Sequence, residues 1–149
     1  MSKAFTKEDD SEPERITRMR SVSGLPPGAQ NYMTAVGARR MKDEIARIRE
    51  VEPEHAADMQ RILDSATVVE PPAELPKEVL FGMTVDVRHA EDHSRTFRIV
   101  GVDEIETDPN GVSWLSPNGK SLLGSVVGQR VMLSVDGEPT NFTVTRIYY

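Results

Sequence analysis

The apolar residues of this chain change their spacing once, across the segment "EPPAELPKE" at residues 70–78, and that change sets the order in which its structures can occur. Before it they recur at three- and four-residue steps: Met41, Ile45 and Ile48, then Ala56, Met59, Leu63 and Ala66. After it they alternate, with Met83, Val85 and Val87 set against Thr84, Asp86 and Arg88. The first period belongs to helices with one apolar stripe, the second to strands with one buried face. Helices followed by strands, rather than interleaved with them, define an α+β chain.

Thr34 is the expected N-cap ahead of the first stripe. In "EVEPEH", Pro53 biases residue 52 away from helical backbone and suits the first turn of a second helix, so the chain is expected to reverse there. Two stripes joined by a short loop predict an antiparallel helical hairpin. Thr34 to Glu50 would span about 25 Å at about 1.5 Å per residue, and neither arm is long enough to be stable alone in water. The prolines of 70–78 stiffen the segment that follows. Beyond it "MTVDVRH", "RTFRIVGV" with Phe97, Ile99 and Val100, "RVMLSVD" and "TNFTVTRIYY" predict four or five antiparallel strands. Turns are expected at "DPNG", "SPNG" and "DG". A short helix is expected over "NGKSLLG", Asn118 to Gly124, ending at the glycine and covering one face of the sheet. Residues 1–30, charged and then rich in Ser, Gly and Pro, are expected to be a mobile tail. Within it "RITRMR" groups Arg15, Arg18 and Arg20, either a solvated run or a short basic helix formed on an acidic partner. The expected division is therefore tail 1–30, hairpin 31–69, linker 70–78 and sheet domain 79–149.

Composition narrows the function classes. With 149 residues, 38% of them hydrophobic, one modest core is expected. Eighteen basic against 24 acidic residues leave a formal net charge of −6, which argues against wholesale attraction to nucleic-acid phosphates and against sequence-specific DNA binding. The absence of cysteine removes disulfides, thiolate nucleophiles and thiolate metal sites together. No apolar run approaches the roughly 18 residues that span a bilayer, and the polar start "MSKAFTKEDDSE" has no apolar signal, so a cytoplasmic protein without a membrane partner is expected.

Three short motifs carry little. "HAEDH" places His89 and His93 around Glu91 and Asp92, residue types that suit a divalent metal, but the segment joins two strands and reads as a polar hairpin turn. "GKS" at Gly119 to Ser121 lacks the glycine a phosphate-binding loop requires at position 114, which is Trp114. "NFT" at Asn141 matters only in a secreted protein. No nucleophile elbow and no helix-borne His pair is present, so neither an enzyme nor a cofactor or metal site is expected. The acidic stretch "RIREVEPEHAADM" remains, with Glu50, Glu52, Glu54 and Asp58 around one proline. Carboxylates there either complement the dipole at the start of the second helix or form an acidic point with a role of its own.

From Phe81 to Tyr149 the motifs "FRIVGVDEI", Ser116-Pro117 and Leu122-Leu123-Gly124, each in order, resemble the C-terminal domain of the bacterial GreA/GreB transcript-cleavage factors. "SKAFTKED" and "YMTAVGARRMKDEI" are similar to that family's N-terminal tail and first coiled-coil helix. The resemblance implies an FKBP-like C-terminal domain that docks on RNA polymerase at the rim of the secondary channel, and a helical hairpin that enters the channel. It also implies, for the family, an acidic hairpin tip that helps hold a second magnesium ion in the polymerase's active site.

This chain departs from that pattern, since it has no Gly-Asp-Arg-Ser-Glu-Asn stretch and its arms are several turns short. Magnesium needs carboxylate oxygens at about 2.0 to 2.1 Å, so Glu50, Glu52, Glu54 and Asp58 are expected to act at the channel mouth rather than at the metal. Trp114, Leu115, Ser116 and Pro117 are the expected polymerase contact, with Leu115 an exposed apolar anchor beside Trp114 in place of the family's usual Asp or Asn. The expected function is a polymerase-binding regulator that does not itself stimulate cleavage. The alternatives are an active cleavage factor rescuing backtracked polymerase and, from another class, a peptidyl-prolyl isomerase or chaperone-like module.

Overall fold

The computed structural model describes residues 25–26, 28–90 and 92–149. The expected mobile tail, with Arg15, Arg18 and Arg20, falls largely outside these residues; Leu25, inside them, is buried. Strand β1 (Tyr32–Thr34) runs directly into helix α1 (Ala35–Ile48), helix α2 (Pro53–Ser65) follows, and β2 (Thr67–Val69) ends this part of the chain. Helix α1 starts where it does because Thr34 keeps extended backbone while its Oγ1 accepts the Gly37 N–H at 3.0 Å. Helix α2 opens on Pro53, whose missing N–H costs nothing in a first turn. The helices pack through Ile45, Ile48 and Ala56, with Met41, Met59 and Leu63 at the margin.

Strands β1 and β2 pair in parallel, from Tyr32 opposite Thr67 to Thr34 opposite Val69. The pairing begins with the Thr67 N–H donating to the Asn31 carbonyl at 2.7 Å. Periodicity gave no sign of this ribbon, because three residues are too few to show an alternation.

The second part contains β3 (Thr84–His89), β4 (His93–Val100), β5 (Gly111–Ser113), helix α3 (Pro117–Leu122), β6 (Arg130–Val135) and β7 (Glu138–Tyr148). They build a five-stranded sheet in the order β5-β4-β3-β7-β6. Met83, Val85, Val87, Leu133, Phe142 and Val144 turn inward and pack with Leu122 of α3. Between β6 and β7 the "DG" turn places Asp136 and Gly137 at φ 52° and 82°, the left-handed pair that suits the twist of a two-residue hairpin.

Two sequence expectations are corrected here. The sheet is mixed rather than antiparallel, since β5 runs parallel to β4. The connection through residues 101–110, with a 3-10 turn at Val102–Glu104, is long enough to loop back and bring Gly111 beside Arg98, so that β5 runs along the last three residues of β4. "SPNG" is a helix start, not a free turn, because Ser116 caps α3 and Pro117 opens it.

A buried carboxylate ties the two parts together. Glu104 is only 4% exposed, yet its oxygens accept from the Thr34 N–H at 3.0 Å, the Gly101 N–H at 2.7 Å and the Thr34 hydroxyl. Nothing larger than glycine fits opposite it: a Cβ on Gly37 would overlap the carboxylate, and one on Gly101 would overlap the Tyr32 carbonyl. Asn31 adds a second tie, its Nδ2 donating to Asp103 at 2.9 Å. Burial pushes the Glu104 carboxyl above the ordinary carboxylate range; hydrogen bonds from Thr34 and Gly101 oppose the shift, and nearby Asp108 adds to it.

A group whose folded-state affinity for a proton is raised contributes most with the proton on, and that contribution is lost as pH rises from the unfolded toward the folded pKa. Urea unfolding of Glu104→Gln is therefore expected to show a flatter pH dependence than the parent across that window, the parent losing stability relative to it as pH rises. Glu104→Ala is expected to cost about 1–3 kcal/mol at every pH for each buried donor left unpaired. A Gln variant as damaged as the Ala variant would count against this account.

Candidate functional site

The Trp114–Pro117 loop is held by its own backbone. The Trp114 N–H donates to the Val100 carbonyl at 3.1 Å, and the Leu115 N–H to the Ser113 hydroxyl at 3.1 Å. Ser116 works at both ends of its side chain: its hydroxyl donates to the Ser113 carbonyl at 2.7 Å and accepts the Gly119 N–H at 3.0 Å. A Cβ on Gly119 would overlap the Ser113 carbonyl, so the first turn of α3 lies flat against the end of β5. Asn118 then ties α3 to β6 through a reciprocal pair, donating to the Ser134 carbonyl at 2.9 Å and accepting the Ser134 N–H at 2.7 Å.

The aromatic surroundings differ from the expectation of an exposed anchor. Trp114 and Leu115 are half-buried and Pro117 is exposed. The Trp114 ring stands edge-on to Tyr32, with centroids 5.1 Å apart, and Tyr32 also meets Phe81 at 5.9 Å. Tyr32 belongs to β1, so the loop leans on the first part of the chain as well as on the sheet. The Trp114 indole N–H is buried with no acceptor among the described residues.

At the other expected site, Glu50, Glu52 and Glu54 are exposed and Asp58 is half-buried. The reversal is closed by the Val51 and Glu52 N–H groups, which donate to the Ile48 carbonyl at 3.0 and 2.7 Å. Glu52 precedes α2 without a side-chain cap, and Glu54 sits in its first turn. Asp58 pairs with Arg61 at 2.6 Å. Glu44, one turn before the reversal, pairs with Arg47, whose hydrogen bond holds the Glu44 carboxyl below its ordinary range. Sequence reasoning missed Val51, an apolar side chain 80% exposed between the glutamates. Its signal was present as the lone apolar residue of "EVEPE".

His89 and His93 stand opposite one another across β3 and β4, with ring centroids 6.3 Å apart. The His89 Nδ1 lies 3.0 Å from the Asn141 carbonyl, and Glu91 lies outside the described residues. Among the described residues no three His, Asp or Glu side chains converge as a metal site, and no helix is long and apolar enough to cross a membrane.

Residues 74–149 match the family described as transcription elongation factor, GreA/GreB, C-term. The chain is 32% identical over 123 residues to transcription elongation factor GreB of Neisseria meningitidis serogroup A, covering 82% of this chain and 71% of that one. It is 32% identical over 94 residues to transcription elongation factor GreA of Nautilia profundicola, covering 62% of this chain and 58% of that one. Among solved structures, a prokaryotic GreA/GreB factor from Nitrosomonas europaea aligns at 20% identity and a TM-score of 0.46, over 80% of this chain and 100% of its own. GreA factor homolog 1 of Thermus thermophilus aligns at 20% identity and a TM-score of 0.44, over 81% and 100%. By the sequence of residues 74–149 the chain falls in the class of transcription elongation factors. The chain belongs to the GreA/GreB family.

Ser116→Ala removes both the helix cap and the bond to Ser113, so a loss of about 1–2 kcal/mol is expected in chemical denaturation. Gly119→Ala is expected to cost at least as much, because the added methyl meets backbone that cannot turn aside. Unchanged stability in both variants would show the loop to be looser than its hydrogen bonds imply.

Proposed function

We propose that this chain is an RNA polymerase-binding regulator that docks at the rim of the secondary channel and does not itself stimulate transcript cleavage. In this reading an FKBP-like domain at 79–149 makes the contact through Trp114, Leu115, Ser116 and Pro117. A linker at 70–78 joins it to a helical hairpin at 31–69 that points into the channel mouth. The protein acts in the cytoplasm with no cofactor and no catalysis of its own. Membership of the GreA/GreB family supports the partner, and the ordered backbone of the Trp114–Pro117 loop supports the contact, since a preformed loop loses little entropy on docking.

The observation that carries the absence of cleavage is the length of the helix pair. Helix α1 has 14 residues and α2 has 13, or about 21 and 20 Å at 1.5 Å per residue. A tip so close to its base leaves Glu50, Glu52 and Glu54 at the channel mouth, where they meet basic side chains while Val51 supplies an apolar contact. Carboxylates held many ångströms from a metal are screened from it by solvent. Occupation of the mouth then competes with longer channel-binding factors and hinders the outward passage of backtracked RNA.

The deciding experiment is RNA cleavage in a stalled, backtracked elongation complex, run with the full chain alone and in competition with a full-length Gre factor. Displacement of the Gre factor without added cleavage is the expected result. Stimulated cleavage that disappears in the combined Glu50→Ala, Glu52→Ala, Glu54→Ala variant would overturn the reading and make the acidic turn a working tip. Absence of any competition would remove the channel as the docking place.

A further inference from the structure

On the solvent face of the sheet, Arg88 of β3 and Arg130 of β6 both lie directly opposite Thr143 of β7. Residues paired across a ladder project to the same face. Two arginines therefore rise on either side of a short polar residue, their α-carbons two strand spacings apart, about 9.6 Å. Asn141, two residues along β7, continues the floor, and His89 borders the same open cavity of about 600 Å³. Among the described residues no carboxylate lines it.

The charge balance of this trough is unlike that of its surroundings. Elsewhere on the sheet Arg98 pairs with Asp108 at 3.0 Å, Arg95 lies 3.9 Å from Asp136, and Arg146 covers the Tyr148 ring at 4.4 Å. Arg88 and Arg130 have no ion-pair partner among the described residues. In a chain with a formal net charge of −6, two guanidinium groups facing one polar floor without a counter-charge are an unbalanced arrangement.

We infer that this trough binds the phosphate group of a small ligand. A dianion uses both guanidinium groups, each able to grip it through two N–H bonds, whereas a single carboxylate neutralises only one. The Thr143 hydroxyl and the Asn141 amide supply neutral donors to the remaining oxygens. The volume lies in the range of small-molecule sites, about 300–1,000 Å³. A long polyanion is disfavoured by the net charge of the chain, and among the described residues no Phe, Tyr or Trp lines the trough to stack a base. None of these residues belongs to the Trp114–Pro117 loop or the acidic turn, so the site stands apart from polymerase docking.

The test is a titration of the isotope-labelled full chain with pyrophosphate, followed by amide NMR at ionic strength held constant with sodium chloride. Saturable shifts at Arg88, Arg130 and Thr143 are expected. They should weaken about tenfold or more in Arg88→Ser or Arg130→Ser and vanish in the double variant, while Arg146→Ser binds as the parent does. Inorganic phosphate and a nucleoside diphosphate, titrated alongside, distinguish a free anion from a phosphoryl group on a larger molecule, and saturable binding of either supports the site. Shifts that fail to saturate, or that persist unchanged in the double variant, overturn it. Tighter binding of a short single-stranded RNA than of pyrophosphate overturns its assignment to a small ligand.

Discussion

A carboxylate taken out of water must find its hydrogen bonds inside the fold or give up its charge. Glu104 finds its partners in both parts of the chain: Thr34 at the start of α1 and Gly101 at the end of β4. Because Thr34 also caps α1, the hydroxyl that starts the helix is the one that holds it to the sheet. Helix initiation and inter-element docking therefore share an atom. The glycines at 37 and 101 follow from this arrangement, since each clears space that a side chain would close. Tyr32, immediately before the cap, extends the same junction to Phe81 and Trp114.

That junction relates the two surfaces proposed to meet the polymerase. The Trp114–Pro117 loop is anchored on one side by β5 and α3 and on the other by Tyr32, so its orientation is tied to the base of α1. The acidic turn is carried at the far end of the same helix. A displacement at Glu104 is thus transmitted to both, which makes a buried residue a determinant of how two exposed sites are spaced.

Much of the architecture was legible in the sequence, for reasons that can be named. Thr34 as a cap, Pro53 as a helix start and the Asp136-Gly137 turn each depend on a local preference that neighbouring residues do not contest. The alternation of Val85 and Val87 with Asp86 and Arg88 survived because the two valines turn into the core while Asp86 is half-buried and Arg88 exposed. What escaped reading was non-local or too short. The β1–β2 ribbon has no periodicity to detect, and the parallel setting of β5 depends on where a connection returns rather than on which residues it contains. Glu104 looked like one acid among several in "VDEIETD"; its burial follows only from the approach of α1. At the loop, Trp114 was identified as a contact residue, but its half-burial against Tyr32 required a partner more than eighty positions away. The same is true of Arg88 and Arg130, which are brought together by a strand lying between them.

The parallel β1–β2 ribbon has a consequence for how such a molecule changes over time. It ties together the backbone entering the helix pair and the backbone leaving it, close to the sheet and far from the tip. Residues added to or removed from both helices in matched turns alter the reach of the tip while leaving the ribbon, the Glu104 contact and the sheet untouched. Reach is thereby uncoupled from folding, and arm length becomes a quantity that selection can adjust by itself.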